Sequence, residues 1–314
     1  MKSIWMTACF IACAALTADA ASIITGSGVR LRQSPTAAAQ EITRLAFGTL
    51  AQEQERSARQ ETIAGKQNYW YRIRLEDGKQ GWVFGAFLQP FEPSQKETIY
   101  RDLIRTRLQE SLKMGDLVEV CLFLHRAIAE TAAPDIKAEL EFARLIALNQ
   151  SAQQGQAENA PQLEAWVAEQ KADVEFHKLG AFWFVPAARF WKLHAAYAAL
   201  PLADDIAWQA ANAPTQGECE GFLPCHATRL NQTIGQYAER YPAGKHVGEA
   251  LALISQEMAG FAQQPAESYD RNAYLMLQGS LNRLRKTVEN CGSPDKEAVM
   301  KILDEVQARH LGKK

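Results

Sequence analysis

Between residues 69 and 84 the chain alternates with a period of two, which commits it to a strand and a returning strand. Tyr69, Tyr71, Ile73 and Leu75 fall on one face of an extended segment, and Trp70, Arg72 and Arg74 on the other. Glu76-Asp77-Gly78-Lys79 supplies the reversal, with Gly78 free to take the positive φ that a tight hairpin asks for. Gly81-Trp82-Val83-Phe84 is the return. Upstream, Val29-Arg30-Leu31-Arg32 with Pro35 opens the same region, and Phe87-Leu88 closes it. These segments predict a small β-barrel over residues 22–91. The charged stretch from Gln52 to Gln67 has no apolar rhythm and is expected to be a long loop between strands.

After a short linker at Glu92-Pro93-Ser94 the period changes, and residues 95–314 read as an all-α domain. Leu103, Ile104, Leu108 and Leu112 form one apolar stripe. Leu117 to Leu124 is apolar all round, which predicts a central buried helix. Pro134 opens a helix through Leu148, the polar Ser151 to Asn159 segment is expected to be a loop, and Pro161 starts another helix. Phe182-Trp183-Phe184-Val185, bounded by Gly180 and Pro186, fits either a strand or a loop that plugs the helical core. Further on, Val247, Leu251, Ile254, Met258 and Phe261 share a face, as do Tyr274, Leu277, Leu281, Leu284 and Val288. A chain of 314 residues exceeds what one core supports, so the fold class is α+β with two domains.

The N-terminus reads as an export signal over residues 1–20. Lys2 is followed by the apolar run Ile4 to Leu16, and Ala18-Asp19-Ala20 predicts cleavage before Ala21. The run is shorter than the roughly 18 residues a membrane-spanning helix needs. Lipid attachment at Cys13, after Phe10-Ile11-Ala12, is the alternative. A periplasmic or secreted location follows, with no membrane span after cleavage. In an oxidising compartment Cys219 and Cys225 are expected to form a disulfide, contributing about 2 kcal/mol because the ring is small. A zinc site on Cys219, Cys225 and His226 is the rival, and it lacks a CxxC pair and a fourth ligand. The pairing of Cys121 and Cys291 stays open. With 34 basic and 36 acidic residues, the chain carries no electrostatic footprint for nucleic acid.

The ordered pattern Val29-x-Leu31-Arg32-x-x-Pro35, Trp70-Tyr71-x-Ile73 and Asp77-Gly78-x-x-Gly81-Trp82-Val83 resembles the bacterial SH3 (SH3b) family. The resemblance implies a non-catalytic barrel of five to seven strands, which envelope proteins use to bind cell-wall peptide or another partner. It departs from the family at the long Gln52–Gln67 segment. In the helical part, Tyr197 to Pro201 and Tyr237 to Pro242 recur about 40 residues apart, similar to the helical hairpins of tetratricopeptide (TPR) proteins, whose period is nearer 34. A generic antiparallel bundle is the alternative.

Arrangements that carry chemistry are sparse. Cys121 and His125 are four apart on one helical face, yet the run around Cys121 is so apolar that its thiol is expected to be buried and protonated. Glu110-Ser111 echoes a pair found in lytic transglycosylases, with nothing else of that pattern after it. The six histidines have no ligand spacing, so no catalytic residue, metal or cofactor is predicted. For binding, Trp70 is the favoured anchor, flanked by Arg72 and Arg74 on the face opposite the core. The competing reading packs Trp70 under the Gln52–Gln67 segment. Trp82, Trp191 and Trp208 are expected to be structural. The function read from the sequence is a non-enzymatic exported adaptor, its barrel on a cell-wall peptide or envelope protein and its helices on a second partner. The alternative is a cell-wall hydrolase or hydrolase regulator. A cleft with two or more convergent ionisable residues in the helical domain would favour the hydrolase, and a smooth apolar concavity the adaptor.

Overall fold

The computed structural model describes residues 20–312. The expected signal segment, apart from Ala20, and the alternative lipid site at Cys13 lie outside the described residues. The chain divides into two compact units, Met1–Ile99 and Tyr100–Lys314.

The first unit is built on seven strands: β1 (Ala21–Ile24), β2 (Val29–Arg32), β3 (Glu41–Leu45), β4 (Leu50–Ile63), β5 (Lys66–Leu75), β6 (Gln80–Phe84) and β7 (Leu88–Pro90). They form one antiparallel sheet in the order β3-β2-β6-β5-β4-β1-β7. The sheet curls into a half-barrel around Ile24, Val29, Leu31, Leu45, Ala51, Ile73 and Val83. Bulges in β4, between Glu53 and Glu55 and between Arg56 and Gln60, add local twist to that curl. Gly81 marks a close approach of two strand backbones. A Cβ there would sit 2.8 Å from the Arg32 carbonyl oxygen and from the Leu31 side chain, so only glycine lets β2 cross β6.

The Gln52–Gln67 segment is not a loop. It forms a two-stranded ribbon, with Ile63 paired to Lys66 around a two-residue turn at Ala64 and Gly65, both at positive φ. Most of its side chains on both faces meet solvent, so no apolar alternation marks it as strand.

The second unit holds eleven α-helices among the described residues: α1 (Lys96–Arg107, whose first turn belongs to the first unit), α2 (Met114–Glu130), α3 (Pro134–Ala157), α4 (Leu163–Glu169), α5 (Ala187–Ala196), α6 (Ala203–Ala211), α7 (Leu223–Gln232), α8 (Ile234–Arg240), α9 (Val247–Gln263), α10 (Arg271–Asn290) and α11 (Lys296–Leu311). Leu277, Leu281, Leu284 and Val288 of α10 meet Leu251, Ile254 and Met258 of α9 in one core, with Leu303 and Val306 of α11. Trp191 and Trp208 pack half-buried against it. Between α8 and α9 the turn is held by a polar knot. The Tyr237 hydroxyl donates to Asp204 and accepts from the His246 amide at 3.0 Å, while the Lys245 amide donates to Asp204 at 3.0 Å.

Two expectations change here, and one open alternative resolves to a strand. Helix α3 continues through Ser151–Ala157, because Ser151, Ala152 and Gly155 are its buried contacts. Ser151 accepts a 2.9 Å bond from the Trp166 indole, and Gly155 leaves room for Met114 and Leu163. Helix α2 is not apolar all round, since Leu122 is 60 % exposed while Leu117, Val120 and Leu124 are buried. Phe182–Phe184 is a strand, β9, paired with β8 (Glu175–His177).

Gly81→Ala is expected to cost the first unit about 1–3 kcal/mol through overpacking against β2. The check is a lower thermal midpoint for the β-sheet signal, with the helical signal unchanged.

Candidate functional site

Strand β5 carries the three residues singled out for binding, and the structure separates them. Trp70 is 2 % exposed and offers no contact surface, which corrects the expectation of an exposed ring. Its edge packs on Phe84, which in turn packs on Phe87. Its indole nitrogen donates to Glu61 at 2.6 Å, and its backbone amide donates to Ser57 Oγ at 3.0 Å. Glu61 also accepts from the Ala37 amide at 3.2 Å. Trp70 therefore lies under the β4 ribbon, the competing packing for this ring. The bulge between Arg56 and Gln60 brings Ser57 and Glu61 over it.

Arg72 and Arg74 are exposed on the outer face of β5. Arg72 donates to Gln80 at 3.3 Å and lies 3.9 Å from the Glu55 carboxylate, and Arg74 donates to Gln52. Such exposed pairs are worth little and exchange readily for a ligand. The half-exposed ring is instead Trp82, read from the sequence as structural. It pairs directly with Arg72 on β5 and with Arg32 on β2, giving a row of arginine, tryptophan and arginine across three strands. Counting back from the Asp77-Gly78 turn sets this register and was the signal available for it. Arg32 is itself nearly buried and donates to the Ala39 carbonyl, so it braces the ring while Arg72 stays in solvent. Arg74, two residues on, lines a groove of about 680 Å³ with Leu50, Leu75 and Phe91.

The second unit contains a cleft of about 520 Å³ between α2, α3 and α5. Six ionisable side chains line it: His125, Glu141, Arg144, Asp173, Arg189 and Lys192. Asp173 lies 2.8 Å from Arg144 and 3.7 Å from Arg189. Glu141 accepts from the Tyr197 hydroxyl; burial first, and then this carboxylate, raise the Tyr197 pKa. One turn along α2 from His125, burial pushes the Cys121 thiol up to about 12, which leaves it protonated and unreactive. Glu110 and Ser111 line a separate hollow of about 410 Å³, where Glu110 is ion-paired to Arg107.

Cys219 and Cys225 form the expected disulfide. His226 beside it turns Nδ1 toward Glu257 and not toward sulfur. Cys121 and Cys291 are free thiols, both buried. Among the described residues no three potential metal ligands converge, and no helix is long and apolar enough to cross a membrane.

His194 is nearly buried, with Nε2 2.6 Å from the Tyr241 hydroxyl. Burial, then Arg240, lower its pKa below the ordinary histidine value. A depressed histidine leaves the unfolded chain binding the extra proton, so stability is full above about pH 6.5 and falls as the pH drops below it. Unfolding midpoints of the helical unit between pH 7 and 5 should show this decline, and His194→Gln should flatten it. Trp70→Phe, which removes the donor to Glu61, should destabilise the first unit by about 1–3 kcal/mol in denaturant titrations.

No curated protein and no solved structure matches the chain. Residues 27–89 match the family model described as bacterial SH3 domain. The curled sheet with Trp82 on its outer face is a bacterial SH3 domain.

Proposed function

We propose that this is an exported, wall-associated binding protein without catalytic activity of its own. The bacterial SH3 domain supports a wall-associated binding role, and the disulfide fits an extracytoplasmic location. The single observation that carries the reading is the half-exposed Trp82 facing Arg72, a large flat ring beside a solvent-exposed guanidinium. Tryptophan and arginine are the residue types that most often dominate binding energy. In this reading Trp82, Arg72 and Arg74 contact a cell-wall peptide or an envelope protein. The helical unit, read as TPR-like hairpins, holds a second partner.

The hydrolase reading draws on the cleft between α2, α3 and α5, where ionisable side chains converge. Both of its carboxylates are already engaged, Asp173 by two guanidiniums and Glu141 by a hydroxyl, which favours binding over proton transfer.

Retention of the purified chain on isolated cell wall is the test. Trp82→Ala should weaken it about tenfold, and Arg72→Ala by a smaller factor. Retention unchanged in both variants would remove the SH3 domain from the role, and loss of wall turbidity on incubation with the wild-type chain would replace the adaptor with a hydrolase.

A further inference from the structure

From the geometry of the α2–α3–α5 cleft we infer that it is a receptor for a free carboxylate, the C-terminus of a short peptide that ends in a small aliphatic residue. This deepens the reading of the helical unit as a partner-holding domain and is independent of what the SH3 domain binds.

Three permanent cations, Arg144, Arg189 and Lys192, line the cleft together with the carboxylates of Glu141 and Asp173 and with His125. One carboxylate is shared between two guanidiniums. Asp173 is in contact with Arg144 but 3.7 Å from Arg189, and no hydrogen bond from the Arg189 guanidinium is made among the described residues. Lys192 is exposed and has no ion-pair partner among them. A guanidinium held only by a 3.7 Å ion pair to Asp173 and an ammonium without an ion-pair partner, three residues apart on α5, are a donor set for a planar, singly charged oxyanion.

The charge balance selects the anion. The surplus over Glu141 and Asp173 is a single positive charge, which a carboxylate neutralises. A phosphate dianion would overshoot it and would face both acidic side chains. The apolar part of the lining selects the body of the ligand. Ile128, Leu145 and Leu193 with the short side chains of Ala129 and Ala196 suit an aliphatic group of a few carbons. The volume, about 520 Å³, lies in the range of small-ligand sites. Glu141, also in the lining, has carboxylate lone pairs beyond the one that accepts from Tyr197 and is an acceptor for a peptide N–H.

The purified chain is titrated with Nα-acetyl-Ala-Ala, with its C-terminal amide and with inorganic phosphate, each followed by calorimetry and by chemical-shift changes. The acid should bind saturably, and the amide about tenfold more weakly, because charge-assisted bonds to an ionised acceptor are lost. Arg189→Ala and Lys192→Ala should each weaken the acid about fivefold to tenfold. Lys301→Ala, on α11 and outside the cleft, should not. Equal binding of acid and amide, no saturable binding of the acid, or an acid affinity indifferent to both cleft variants would overturn the assignment. Tighter binding of phosphate would overturn the carboxylate. Binding of the acid by a chain that the wall does not retain would leave this inference standing and remove only the SH3 reading.

Discussion

One carboxylate organises the outer layer of the SH3 domain. Glu61 receives the Trp70 indole and the Ala37 amide, joining the distal ribbon, the central strand and the loop between β2 and β3. A buried tryptophan must find a partner for its N–H, and the partner here comes from a strand reaching back over the sheet. That bond decides which of two tryptophans on the same outer face is sealed. With Trp70 covered, Trp82 is the one of these two tryptophans that a ligand can reach.

The helical unit uses the same economy of small groups at close contacts. Ser151, Ala152 and Gly155 let α3 lie against Met114 and Leu163, and the serine hydroxyl satisfies the Trp166 indole. At the other end, Tyr237 and Asp204 hold the turn into α9 by side-chain and backbone bonds. The cleft between α2, α3 and α5 has the buried Leu145 and Leu193 in its lining, and Arg189 and Lys192 keep a defined spacing because they stand three residues apart on α5.

The legible parts of the sequence were those with one wet face and one dry one. The alternation Tyr71, Ile73, Leu75 placed β5 correctly, and Leu277, Leu281, Leu284 and Val288 placed the inner face of α10. Cysteine spacing in an oxidising context placed the disulfide. Where the contrast failed, so did the reading. The β4 ribbon has water on both faces, and the second half of α3 is buried through residues too small or too polar to register as apolar. Trp70 admits two readings in the sequence, anchor or covered ring, because strict alternation puts it beside arginines, and the contacts from Ser57 and Glu61 of β4 show it covered. The cleft could not be read at all, since its residues come from three helices and a loop spread from His125 to Ala196.

The extended β4–β5 arm has a further consequence. Beyond Glu53 its outer edge pairs with no other strand among the described residues, so its backbone groups stand open to any passing chain. Glu55, Arg56, Arg59, Glu61 and Lys66 crowd that arm with charge of both signs, and Arg56 lies over the Tyr69 ring at 4.3 Å. Charged side chains on an unpaired edge discourage stacking of further strands. The composition that hides this arm from a pattern search is also its guard against self-assembly into fibres.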